Sequence, residues 1–117
     1  DGCIIEEGAV IEHSVIGLRC RIGRDVVIRD SIVMGNDYYQ PPAEFDHDSN
    51  NGRPPLGIGE GTRIERAIVD KNCRIGRRCR IVNDQEVDSD ERGNYAMIRE
   101  GIVIVTKNGI LPDDSVL

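Results

Sequence analysis

The sequence predicts an all-β domain: one chain wound into a parallel β-helix. Three observations carry the prediction: apolar residues recur every six positions, the apolar stock is Ile and Val with few aromatics, and one segment repeats downstream. The six-step ladder runs Ile4, Val10, Ile16, Ile22, Ile28, Met34. A helix would place apolar residues at spacings of three and four, so this ladder is not helical. Strand alternation alone also allows a step of six, and the punctuation adds the rest. Gly17, Gly23 and Gly35 directly follow ladder positions, and the small residues Gly8, Ser14 and Cys20 fall four places after one. Each hexad reads as a short strand plus a turn, and three hexads close a triangular coil. Coils then stack at the strand spacing of about 4.8 Å with aliphatic side chains inward. Aliphatic, glycine and small residue in this order is the hexapeptide pattern of left-handed β-helices. The handedness rests on that resemblance, since crossover sterics by themselves favour the right hand.

Composition agrees. There are one Phe, three Tyr and no Trp, and a narrow triangular core has no room for rings. Ile and Val are stiff at their first torsion and suit pleated, half-buried surfaces. Thirteen glycines supply many turns.

Residues 58–77 align without gaps on residues 5–24, with ten of the twenty positions identical. Gly8 matches Gly61, Ile11 matches Ile64, Cys20 matches Cys73, and both copies end Arg-Ile-Gly-Arg. Each copy contains one step of five, from Ile11 to Ile16 and from Ile64 to Val69. Two stretches break the repeat: 37–56, polar and rich in Pro, Asp and Asn, and 83–96, acidic and aperiodic. Both read as loops leaving the coil. Ile102 to Val105 form a last apolar strand, continued by Ile110 and Leu111. The expectation is one domain over 1–117, with about four coils and one long inserted loop. Asp1 opens straight into the repeat with no polar cap, which suggests a further domain at that end.

A net charge of −6 argues against general nucleic-acid binding, and no run of about 18 apolar residues is present to span a membrane. Cys3, Cys20, Cys73 and Cys79 form no CxxC pair, so they read as small buried thiols in a reducing compartment and not as a zinc site. The two histidines, His13 and His47, read as solvated. Residues 63–80 carry Arg63, Arg66, Lys71, Arg74, Arg77, Arg78 and Arg80 against Glu65 and Asp70. Arg19, Arg21, Arg24 and Arg29 lie in the first copy. Stacked coils can gather such cations on one face to hold phosphate or carboxylate. The alternative is an ordinary surface whose cations pair with neighbouring acids.

Four strings go further than the generic repeat. SVIGLRCRIG (14–23), VMGNDYY (33–39), GIGEGTRIERAIVDKNCRIG (57–76) and EGIVIVTKNGIL (100–111) together resemble ADP-glucose pyrophosphorylase, or glucose-1-phosphate adenylyltransferase, of the plant and cyanobacterial type. The resemblance implies the C-terminal β-helix domain of that family. The N-terminal nucleotidyltransferase domain would make ADP-glucose and pyrophosphate from ATP and glucose 1-phosphate with Mg2+, for glycogen or starch synthesis. That domain is not in this sequence, so the chain itself would hold no catalytic residue and no metal. The resemblance implies an allosteric site for a sugar-phosphate or phosphate effector, shared with the catalytic domain. It assigns that site to Arg19 of the GLR string, Asp70 and Lys71 of the DKN string, and Lys107 of the GIVxVxK string. It also implies a homotetramer, cytoplasmic or, in a plant, plastidic, with neither nucleic acid nor membrane as partner. The competing readings are the β-helix of another sugar nucleotidyltransferase, a hexapeptide acyltransferase, which needs a catalytic histidine, and a purely structural β-helix.

Overall fold

A computed structural model describes residues 3–37, 56–83, 89–91 and 95–117. The first circuit of the chain is β1 (Ile4–Ile5), β2 (Val10–Glu12) and β3 (Val15–Ile16), and the second is β4 (Arg21–Ile22), β5 (Val27–Arg29) and β6 (Ile32–Val33). The third is β7 (Gly57–Ile58), β8 (Arg63–Glu65) and β9 (Ala67–Val69). The fourth starts with β10 (Arg74–Ile75) and β11 (Arg80–Ile81). It leaves the coil for β12 (Ser89–Glu91) and β13 (Ala96–Arg99), then returns as β14 (Ile102–Val105). A fifth begins with β15 (Ile110–Leu111) and a bridge between Val116 and Arg80.

Three sheets result, one per side of the triangle. The first face orders β1-β4-β7-β10-β15, the second β2-β5-β8-β11, and the third β3-β6-β9-β14-β13-β12. Every pairing is parallel except those of β12 with β13 and β13 with β14. The registers show why the sequence repeats as it does. Ile5 lies beside Ile22, Ile11 beside Ile28, and Ile16 beside Val33. One circuit is therefore 17 residues, from two steps of six and one of five.

That step of five corrects the strict six-residue ladder. Ile16, Ile22 and Ile28 do point to the core, but Met34 is exposed and Val33 is buried in its place. Ile4 and Val10 also face outward, because the register makes Ile5 and Ile11 the inward partners of Ile22 and Ile28. Each face supplies two inward columns, an aliphatic one and a small one two residues earlier. On the first face these are Ile22, Ile58, Ile75 and Leu111, and Cys20, Leu56, Cys73 and Gly109, the second column small except at Leu56. Ile22, Ile28, Ile64, Ile75 and Ile81 have no exposed surface, and each stabilises the fold by about 1.5–3 kcal/mol. Thr62, also fully buried, accepts a bond from the Cys79 amide at 3.2 Å and donates to the Gly76 carbonyl at 2.8 Å. Such a residue is tolerated inside because both its functions are satisfied.

Stacking at this spacing crowds the turns. A Cβ at Gly59 would lie 2.5 Å from the Gly76 carbonyl oxygen of the next coil, so a side chain is excluded there. The first copy ends at an apolar edge: Ile4, Ile5, Val10, Val15 and Leu18 are all exposed.

The described part of the second interruption contains strands that its composition does not suggest. Ser89–Glu91 and Ala96, inside the stretch read as a loop, belong to strands that extend the third face antiparallel. Ala96 and Ile98 point inward and alternate with Met97 and Arg99, a period of two too short to stand out beside an acidic run. Leu56, at the end of the first interruption, is buried in the small-residue column. Residues 38–55, with His47 among them, and 84–88 and 92–94 lie outside the described residues.

Candidate functional site

The three corners of the triangle are built from turns, and backbone geometry repeats from coil to coil at each. The third corner, between the third and first faces, contains the four residues singled out above. Its turns run through Leu18-Arg19, Gly35-Asn36, Lys71-Asn72 and Lys107-Asn108. The amides of Asn36, Asn72 and Asn108 donate to the carbonyls of Leu18, Gly35 and Lys71 at 2.9, 3.1 and 2.9 Å. These bonds lock the turns into columns. One column reads Leu18, Gly35, Lys71, Lys107, and the next reads Arg19, Asn36, Asn72, Asn108.

The local sequence explains the turns. Arg19, Asn72 and Asn108 have φ of 55, 59 and 62°, and Asn is the residue after Gly that best tolerates this region. In the second coil the positive φ falls on Gly35 instead, at 87°, where a Cβ would lie 2.4 Å from the Leu18 carbonyl oxygen. Gly35 thereby leaves no side chain directly beneath Lys71.

Lys71 and Lys107 occupy neighbouring rungs, about 4.8 Å apart along the stack. Lys71 is half-buried and Lys107 exposed. Asp70 is adjacent, but its carboxylate accepts the backbone amide of Lys71 at 2.6 Å and so shapes the turn. Arg19 lies two rungs from Lys71; its Nε donates to the Asn36 carbonyl at 3.1 Å, and Asn36 Nδ2 returns a bond to the Arg19 carbonyl at 2.8 Å. The structure thus brings Asp70, Lys71 and Lys107 together and sets Arg19 further along the same corner.

Sequence reasoning missed two members of this constellation. Asp37 forms an ion pair with Lys71, Oδ1 to Nζ at 3.3 Å. Asn72 grips Asp37 twice: Asn72 Nδ2 donates to Asp37 Oδ2 at 3.0 Å, and the Asp37 amide donates to Asn72 Oδ1 at 2.9 Å. The hydrogen bonds from Asn72 and Lys71, with the field of Lys107 added, hold the Asp37 carboxyl below the usual carboxylate range. Both residues stand in quoted strings, VMGNDYY and DKN, but their 35-residue separation gives no sign of contact.

The basic run of 63–80 does not gather on one face. It is 18 residues long and one circuit is 17, so it visits every side of the triangle. Most of the cations have acidic neighbours. Arg63 pairs with Glu65, Arg77 with Asp113 at 3.6 Å, and Arg78 with Asp114 through two bonds of 2.9 and 3.2 Å. Arg21 pairs with Glu6 at 3.2 Å and Arg29 with Glu12 at 2.6 Å. Arg74 is buried in the first face.

The remaining candidates stay plain. His13 is exposed at the second corner with Asp30 at 3.5 Å. Cys20, Cys73 and Cys79 are buried, and Cys3 is partly so. Burial pushes the Cys20 thiol up to about 12 and the Cys73 thiol up to about 11. Among the described residues no group of three or more His, Cys, Asp or Glu could hold a metal ion, and no helix is long and apolar enough to cross a membrane.

Comparison with known proteins supplies a family. A family model described as the GLGC left-handed parallel beta-helix domain matches residues 1–116. The chain is also similar to the inactive glucose-1-phosphate adenylyltransferase small subunit 2, chloroplastic, of Arabidopsis thaliana, with 42% identity over 120 residues. That alignment covers all of this chain and 25% of the relative, so the chain spans about a quarter of that relative's length.

Proposed function

The chain belongs to the GLGC left-handed parallel β-helix domain family, and from that premise we propose that it is the regulatory and assembly domain of a glucose-1-phosphate adenylyltransferase. The parent enzyme would join ATP and glucose 1-phosphate into ADP-glucose and pyrophosphate. Mg2+ would serve that chemistry in the nucleotidyltransferase domain, and no residue described here is assigned to it. The similar Arabidopsis thaliana protein is named an inactive small subunit, and the catalytic step is proposed for the parent enzyme and not for this chain. The same name places that protein in the chloroplast, and a plastid is the compartment we propose if this chain is of plant origin.

One observation carries the regulatory part. Lys71 and Lys107 stack on successive rungs of one corner, and among the described residues only Lys71 has an acidic partner, Asp37, so the like charges are only partly answered. A phosphate or sugar phosphate bridging the two ammonium groups would supply that answer. Asp70 would act through the turn by fixing the Lys71 backbone. Arg19 would meet a second phosphate or a group of the neighbouring domain along the same edge. An effector touching both this corner and the catalytic domain favours the arrangement of domains in which it makes both sets of contacts. Val15 and Ile32, apolar, exposed and side by side on the outside of the third face, support the assembly part, a homotetramer in which this domain contributes subunit contacts.

The test is Lys71→Ala and Lys107→Ala in the full-length enzyme. Activation by sugar phosphate should require at least tenfold more effector in each variant, with turnover in its absence nearly unchanged. Unaltered activation curves in both variants would sink the reading.

A further inference from the structure

The position of Asp37 supports more than a role in the turn. It lies outside the two stacked columns, one residue past Asn36. It still reaches across to the third coil and puts one carboxylate oxygen 3.3 Å from Lys71 Nζ while Asn72 holds the other at 3.0 Å. The amide bond to Asn72 Oδ1 at 2.9 Å fixes its backbone as well. Three bonds therefore hold one acidic side chain against one of two lysines on successive rungs. With 48% of its side chain exposed, Asp37 can swing away without opening the core.

We propose that Asp37 is a built-in competitor for the anion at this corner: its carboxylate neutralises Lys71 in the unliganded chain and must be released for the anion to bind. The inference rests on the anion-binding reading above and assigns it a control element. A carboxylate carries one negative charge and reaches one lysine. A phosphate carries up to two and can bridge Lys71 and Lys107, so it displaces the internal group, whereas a weaker anion does not. Asp37 sets the threshold and Asn72 sets how firmly it is held.

The experiment is titration of the full chain with inorganic phosphate, followed by calorimetry and by the amide resonances of residues 70–72 and 106–108. Asp37→Asn removes the charge and retains the shape, and should tighten phosphate binding by about two- to fivefold, the range expected for an exposed pair. Asp37→Ala serves as a second variant and should do the same. Glu12→Gln removes an equal charge at the second corner and should leave the affinity as it was. Unchanged or weaker binding in both Asp37 variants, with binding still lost in Lys71→Ala, would overturn the competitor role and leave the site standing. An equal gain in Glu12→Gln would also overturn it, since net charge alone would then explain the effect. Absence of phosphate binding in the parent chain would remove the anion-site reading and this inference with it.

Discussion

The first and third corners of the triangle use the same turn geometry with opposite charge patterns. At the first corner one column reads Glu7, Arg24, Glu60, Arg77, Asp113, with the sign alternating at every rung. The next column sets Arg78 against Asp114, where paired hydrogen bonds hold the Asp114 carboxyl below the usual carboxylate range. Arg77 and Arg78 are each answered from the next rung, by Asp113 and Asp114. The third corner stacks Lys107 on Lys71, with Gly35 and Leu18 beneath, and its acid is supplied from outside the column by Asp37. Alternation serves stacking, whereas like charge on adjacent rungs costs stability, and at Lys71 the Asp37 carboxylate offsets part of that cost. The positive charge of this chain matters less by its amount than by whether the next rung answers it.

The largest effect should come from the backbone on which this contrast depends. Gly35→Ala at the third corner combines a positive φ with a Cβ 2.4 Å from a carbonyl, and should cost about 3 kcal/mol in denaturant unfolding. Gly61→Ala at the first corner meets only Arg78 Cγ at 3.5 Å and should cost about 1 kcal/mol, the conformational term alone. Equal losses would mean that the corners are equally crowded.

The next test concerns binding. Lys71→Ala should weaken phosphate affinity about tenfold or more, as expected for loss of a charged hydrogen bond, while Arg78→Ala at the first corner should leave it unaltered. A smaller signal lies in titration. Asp37 and Asp114 both have depressed folded pKa values, so what their contacts contribute is present above the ordinary carboxylate pKa and lost as pH falls through the lower folded one. Carboxyl 13C shifts should follow this order, and Lys71→Ala should raise the Asp37 midpoint without moving that of Asp114. The smallest effect is chemical. Cys20 and Cys73, beneath the third corner, should resist iodoacetamide at pH 8 in the folded chain, because burial holds both as thiols.

Much of this fold was legible. The inward aliphatic at every strand and the small residue two places before it are sequence-local, so Ile22, Ile28, Ile64, Ile75 and Ile81 could be placed in the core from spacing alone. The phase was harder: a strict step of six carries Met34 inward, and only register against Ile16 and Val69 shows that Val33 takes the place. β13 was obscured because its alternation spans four residues beside an acidic stretch. At the site, family-like strings point to Arg19, Asp70, Lys71 and Lys107, whereas Asp37 reads as the start of a loop and nothing local marks Asn72 as its partner.

The sequence by itself determined that the chain coils, because period, side-chain size and turn residues are written within each hexad and need no distant partner. It also determined which residue types stand at the corners. The tertiary structure alone decided which charges meet. Residues 17 apart become neighbours only once the circuit closes at 17, and an excursion between coils turns that separation into 36. Lys71 lies over Gly35, under Lys107 and against Asp37 because backbone hydrogen bonds between rungs fix the register, and no local pattern encodes that stacking.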